Sequence, residues 1–440
     1  MARGKDTRTE GDRRRRLRVG LLVAVAIATA LPAAAVSSTA QAAGEDTLGR
    51  WWAQYGVDTA HAAGITGAGV KVAVIDEQIN PDLPVFAGRD LKVSTTQLCK
   101  VPTNPVSNDA TKSSLHGTAM AALIIGNGTG GGSVRGIAPD ADVTFYGYGP
   151  DDGGPICDPN TTDDISVFGY AVKTAVDDGA KIITTSVGAT AYANDGPVIA
   201  YALARGVAIV AATPNPSQGL VDYKKGYDAM NGVVGVTAID ENGNLQSEAG
   251  QPLALPQTTV VAAGFDLPSV GVLGDWNGTA ARTGSSNSAP IVAAMLALAA
   301  QKYPEATGNQ LVHSLIATTN GEVKERVQSS DGYGYGAAWL PTLLENDPSS
   351  YPDETPLMEK AAGFPTAEQI STARTDGFVP ATRGRSFDKT LDDVPQQGFD
   401  ISSVVPWIVV GIVALVLFAA AITIAVIVLQ RRKDKKGVVS

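Results

Sequence analysis

Between residues 51 and 340, short apolar runs rich in β-branched residues alternate with longer helix-like stretches, and glycine-rich turns separate them. The runs at 70–75, 142–146, 181–185, 207–212, 233–238 and 259–262 lack the polar position at every second residue that marks a sheet with one wet face. They predict strands buried on both faces of a parallel sheet. The stretches 116–125, 163–178, 196–205 and 289–302 predict the helices between them. The expected class is α/β, with a mainly parallel central sheet and helices on both of its faces.

Three segments break this pattern. At the start, five arginines within 13–18 precede a mostly apolar stretch over 19–36, then small residues and Ala40-Gln41-Ala42. This is the layout of a secretory signal peptide over 1–42, followed by a short extension over 43–50. An uncleaved anchor and a twin-arginine export route stay open as alternatives. Near the other end, residues 407–429 hold no charge, and 23 residues at 1.5 Å each suffice for a ~30 Å hydrocarbon core. Arg431, Arg432, Lys433, Lys435 and Lys436 follow. A transmembrane helix is therefore expected over 404–429, with the basic tail 430–440 cytoplasmic and the body, 51–344, on the far side of the membrane. Residues 345–403, with eleven acidic residues, five basic ones and six prolines, read as an acidic, largely unpacked linker.

The net charge of −10 conceals an asymmetry, because both ends are basic and residues 44–429 carry −19. A body so acidic repels phosphate backbones, which argues against nucleic-acid binding. The two cysteines, Cys99 and Cys157, would sit in an oxidising compartment. There a disulfide is the default and a pair of free thiols the alternative.

Three blocks carry candidate chemistry. The run 70–76 ends on Asp76, at the strand end where α/β sheets form their ligand crevice; taken alone, Asp76 reads equally as a turn cap. His116-Gly117-Thr118 opens a helix of small, then apolar residues, and Gly117 and Ala119 would let it pack closely against strands. His61 and His313 occupy ordinary helical contexts. Gly284-Ser285-Ser286-Asn287-Ser288-Ala289-Pro290 leads into an almost wholly apolar helix, with Pro290 expected near its first turn, where a missing N–H is tolerated. The free N–H groups of that turn stabilise negative charge near Ser286. A serine hydroxyl becomes a good nucleophile when a neutral imidazole accepts its proton and a carboxylate orients the imidazole.

In the order Asp, His, Ser, these motifs resemble those of the subtilisin-like serine proteases, or subtilases, over roughly 51–340. The resemblance implies a three-layer subtilisin-like fold and catalytic roles for Asp76, His116 and Ser286. It also implies an oxyanion donor at Asn215, which ends the run 207–215. Ser186, Val187 and Gly188 would pair with extended substrate, and Ala212, Thr213 and Pro214 would line the specificity pocket. Glu77-Gln78 stand where the family has Thr-Gly, and Pro214 stands where it has Gly. The glycine-rich loop 126–136 has no carboxylate, which argues against a calcium site there, since calcium prefers several oxygen ligands; no metal and no cofactor are expected. The layout of signal peptide, protease domain, linker, single span and basic tail resembles the mycosins, membrane-anchored subtilases associated with type VII secretion.

The expected function is a membrane-anchored extracytoplasmic serine endopeptidase acting on protein or peptide substrates. The alternatives are a subtilase-like scaffold within a type VII secretion complex and a non-proteolytic serine hydrolase. The latter would more often show Gly-x-Ser-x-Gly.

Overall fold

The computed structural model describes residues 47–150, 157–188, 191–216 and 226–381. Seven strands form a parallel sheet: β1 (Lys71–Asp76), β2 (Leu91–Val93), β3 (Asp142–Gly147), β4 (Ile182–Thr185), β5 (Ala208–Ala212), β6 (Val233–Ile239) and β9 (Val260–Ala263). Their spatial order is β2-β3-β1-β4-β5-β6-β9. Two short antiparallel ribbons accompany the sheet, β7 (Ser247–Glu248) with β8 (Gln251–Pro252) and β10 (Leu267–Val272) with β11 (Asp275–Arg282).

The strands are apolar on both sides because both faces are covered. Within β1, Val72 and Val74 join one core while Ala73 and Ile75 join the other; in β5, Ala208 and Val210 divide from Ile209 and Ala211 in the same way. The first core holds α3 (Lys112–Ile125), α6 (Ser285–Lys302) and α7 (Gly308–Ala317). The second holds α4 (Val167–Asp177) and α5 (Gly196–Ala204). α6 is buried almost throughout, and this explains why it has no polar face. α1 (Thr47–Gln54), α2 (Val57–Ala62) and α8 (Leu340–Glu345) add Trp51, Trp52, Val57 and Leu343 to the first core, and Tyr55 joins it from the turn between α1 and α2.

The chain leaves β1 toward β2 and β3, and then crosses back to β4 on the other side. The carboxyl ends of β1 and β4 therefore flank the switch point of the sheet, where open α/β folds form their crevice.

The first part of the expected linker is instead packed. Residues 345–381 form a strap that ends in α9 (Ala367–Asp376), and Leu357, Ala362, Phe364 and Ala373 are buried in the cores. Backbone bonds stitch it down: Gly232 N donates to Leu357 O, Ala362 N to Ala229 O, and Asn231 N to Phe364 O. Its apolar anchors come singly among charges and prolines, so the strap shows no periodicity although it is held along its length. The rest of that stretch, the 404–429 span, the 430–440 tail and the leader over 1–42 lie outside the described residues. Among the described residues, no helix is long and apolar enough to cross a membrane.

Candidate active site

Asp76 is the last residue of β1 and is fully buried. Its Oδ1 accepts the Glu77 N–H at 2.8 Å and lies 2.9 Å from His116 Nδ1. Its Oδ2 is buried and has no hydrogen-bond partner among the described residues. A backbone N–H at 77 thus takes up one oxygen, and the Glu77 side chain contributes charge rather than a hydroxyl.

His116 sits in the second turn of α3. Thr111 caps that helix in a reciprocal box with Ser114. The two residues after the histidine set the distance to Asp76. A Cβ on Gly117 would lie 2.3 Å from Gln78 O and 2.8 Å from Phe145 Cζ, so glycine is required for the helix to approach the β1 exit. The Thr118 hydroxyl accepts the Asn80 N–H at 2.9 Å, which ties the same loop to the helix. The imidazole is 29% exposed while Asp76 is sealed, so the pair has one dry end and one wet end. Burial is the largest influence on the His116 pKa and lowers it. The charge and hydrogen bond of Asp76, joined by the charge of Glu77, outweigh burial and a weaker opposing effect of Lys112. The net position is above the ordinary histidine value.

Ser286 is the second residue of α6, because the helix begins at Ser285. Pro290 is therefore inside the helix rather than in its first turn. The proline removes the N–H that would have bonded the Ser286 carbonyl four residues back. The Ser186 hydroxyl fills that vacancy, donating to Ser286 O at 2.7 Å, and the Ser286 hydroxyl donates in return to Ser186 O at 3.1 Å. Ser186 follows directly on β4, so these two bonds fasten the nucleophile candidate to the sheet.

Asn215 lies beyond β5, and its Oδ1 accepts the Ser285 N–H at 2.9 Å. Its carboxamide lies against Gly284, where a Cβ would come within 3.2 Å of Oδ1. Of the residues expected to line the specificity pocket, Ala212 and Pro214 are half-buried, whereas Thr213 turns inward. Its hydroxyl lies 2.8 Å from Thr237 Oγ1 and 3.2 Å from Ser285 Oγ, so it belongs to a buried hydroxyl network and not to a pocket wall. Ser186, Val187 and Gly188 leave the sheet at the end of β4, with Val187 half-buried and Gly188 exposed. Away from the site, His61 Nε2 pairs with Ile137 O and His313 Nε2 with Glu354 O. Cys99 and Cys157 form a disulfide with Cα atoms 5.4 Å apart. Sequence reasoning missed Gln246, which is buried between β6 and β7 and donates from Nε2 to Asn215 Oδ1 at 3.0 Å.

A buried carboxylate bonded to an imidazole at the end of β1, and a serine in the first turn of α6 fastened to the end of the neighbouring β4, lie on the two sides of the sheet's switch point. Residues 67–336 match the Subtilase family, and the chain belongs to that family. Subtilisin Savinase of Lederbergia lenta is 29% identical over 287 residues, which cover 63% of this chain and 91% of that protein. The M-protease of Shouchella clausii is 29% identical over 272 residues, or 60% of this chain; the match spans 62% of that protein's length. Among solved structures, MycP1 from the ESX-1 type VII secretion system shares the fold at a TM-score of 0.50 and 22% identity, over 70% of this chain and 88% of that one. The Prenylagaramide maturation protease PagA does so at 0.50 and 21%, over 66% and 97%.

Proposed function

We propose that this chain is a serine endopeptidase that cleaves protein or peptide substrates through an acyl-enzyme. The observation that carries the reading is the Asp76–His116 bond at the sheet's switch point, in a chain whose family uses Asp, His and Ser in that order. Asp76 holds the proton on His116 Nδ1, which leaves Nε2 as the base. The Ser286 hydroxyl exchanges the Ser186 carbonyl for Nε2 by rotation about χ1 and then attacks the scissile carbonyl. His116 takes the serine proton and returns it to the leaving amine. Water then attacks the acyl-enzyme with the same residue as base. The oxyanion formed in each half-reaction is held by the Asn215 carboxamide N–H and the Ser286 backbone N–H at the α6 terminus. Residues 186–188 pair with the extended substrate, and Ala212 and Pro214 shape its pocket.

The same proposal extends to location. The uncharged run 407–429 and the basic residues after it support a single-pass anchor with the peptidase domain outside the cytoplasm. The fold shared with MycP1 and the matching layout support a type VII secretion complex as partner. They also favour a second reading, in which the domain acts chiefly as a scaffold.

Fluorophosphonate labelling of the full-length chain, beside Ser286→Ala, tests the first reading. Labelling of the wild type alone is expected. A folded wild type that takes no label would leave the scaffold reading in front.

A further inference from the structure

The Asn215 carboxamide does not orient itself. The Ser285 backbone N–H donates to it, so the atom facing that N–H is the oxygen. The same oxygen faces Gln246 at 3.0 Å, and so the group that Gln246 presents is its NH2. A second N–H of that NH2 reaches Ser285 Oγ at 3.1 Å. Ser285 Oγ also accepts the Ala238 N–H at 3.2 Å and lies 3.2 Å from Thr213 Oγ1. Gln246 is 6% exposed, and its backbone is fixed by Leu253 N donating to its carbonyl at 2.7 Å. The adjoining Leu245 bridges to Ile239 at the end of β6.

From this chain of donors we infer that Gln246 is a positioning residue for the oxyanion site. It and the Ser285 N–H hold the Asn215 oxygen from two directions, which turns the Asn215 NH2 to the opposite side of the carboxamide. The inference rests on the protease reading for its catalytic meaning, but not for its geometry. Once Gln246 is lost, the Asn215 oxygen loses one of the donors that hold it, and the amide then samples other rotations and offers its own donor for part of the time. Stabilisation of the oxyanion is needed in the transition state more than in the bound substrate, so the loss should fall on kcat.

Gln246→Leu removes the donors at similar volume, and Gln246→Glu puts oxygen against oxygen. In the full-length chain each is expected to lower kcat about tenfold, the scale of one lost buried hydrogen bond, with KM unchanged within about twofold. In an Asn215→Ala background, Gln246→Leu should have no further effect on kcat. Equal losses in both backgrounds, or a rise confined to KM, would overturn the inference. The second measurement does not depend on turnover. With 15N-labelled asparagine, the Asn215 side-chain amide resonance, assigned through Asn215→Ala, should broaden or shift in the Gln246 variants while the melting temperature shows them folded. An unchanged resonance sinks the positioning role even in an active enzyme. If the wild type takes no fluorophosphonate label but the resonance still responds, the positioning stands and the protease reading fails.

Discussion

His116 gathers two carboxylates on one side, Asp76 in direct contact and Glu77 through space, and the second is where this chain departs from its family. Imidazolium accepts no proton, so kcat/KM should fall as pH drops through a pKa lying above the ordinary 6.5 of histidine. Removing the second charge weakens the support for imidazolium, so in Glu77→Gln the acidic limb should move to lower pH. A pH–rate profile of both forms checks the direction, and an unmoved limb would remove Glu77 from the account. Stability runs the other way. Because the folded-state pKa is raised, the stabilisation from this pair is complete below the unfolded-state pKa and fades as pH rises through the folded one. Gly117 gives a second test at this scale. Gly117→Ala places a Cβ against the Gln78 carbonyl and the Phe145 ring. A loss of about 1–3 kcal/mol by chemical denaturation is expected, together with an activity loss larger than the stability change explains, since α3 must move and carries His116 with it.

At the scale of elements, the disulfide closes the loop that contains α3 and β3, and the strap runs over the body as far as α9. The disulfide closes a loop with a sequence separation of 58, so Cys99→Ser with Cys157→Ser should cost about 4 kcal/mol in urea unfolding on a chain-entropy basis. A polar anchor of the strap is Lys360, whose Nζ donates to Asp228 O at 2.7 Å and Gln257 O at 2.8 Å. Burial pushes the Asp228 carboxyl above the ordinary carboxylate range, opposed by the Lys360 charge. Lys360→Met strips both carbonyls of their donor and should destabilise the fold by about 2 kcal/mol, read as a lower melting temperature. An unshifted melting temperature would mean that the strap contributes little to the body. Six of the seven sheet strands were legible from their unbroken apolar runs, with ends within a residue of those observed; the edge strand β2 was not, because it is three residues long and only half-buried or exposed. The β10–β11 ribbon was not, because most of β11 is exposed or half-buried and shows no apolar run. The early start of α6 was also hidden, since Ser285 to Ser288 are weak helix formers whose place is set by tertiary partners.

Across the whole molecule, residues whose chemistry is local could be found from sequence alone: the aspartate at a strand end, the histidine near the start of a helix and the serine leading into an apolar run, although α3 begins four residues before His116 and α6 one residue before Ser286. Residues whose role comes from distant partners could not. Nothing around Gln246 in the chain points to Asn215 or Ser285, and nothing in 345–381 announces the pocket that receives Phe364. The resemblance implies a place for Thr213 in the pocket wall, and only the packed hydroxyls of Thr237 and Ser285 show that it faces inward. The reciprocal bonds between Ser186 and Ser286 join residues 100 apart in sequence, and Pro290 makes one of them necessary. Contacts that close long loops form late in folding. The α6 turn bearing Ser286 therefore acquires its final carbonyl partner only when strand and helix have met. A nascent or partly unfolded copy would carry the serine but not the assembled machinery, and proteolysis would be timed by the completion of the fold itself.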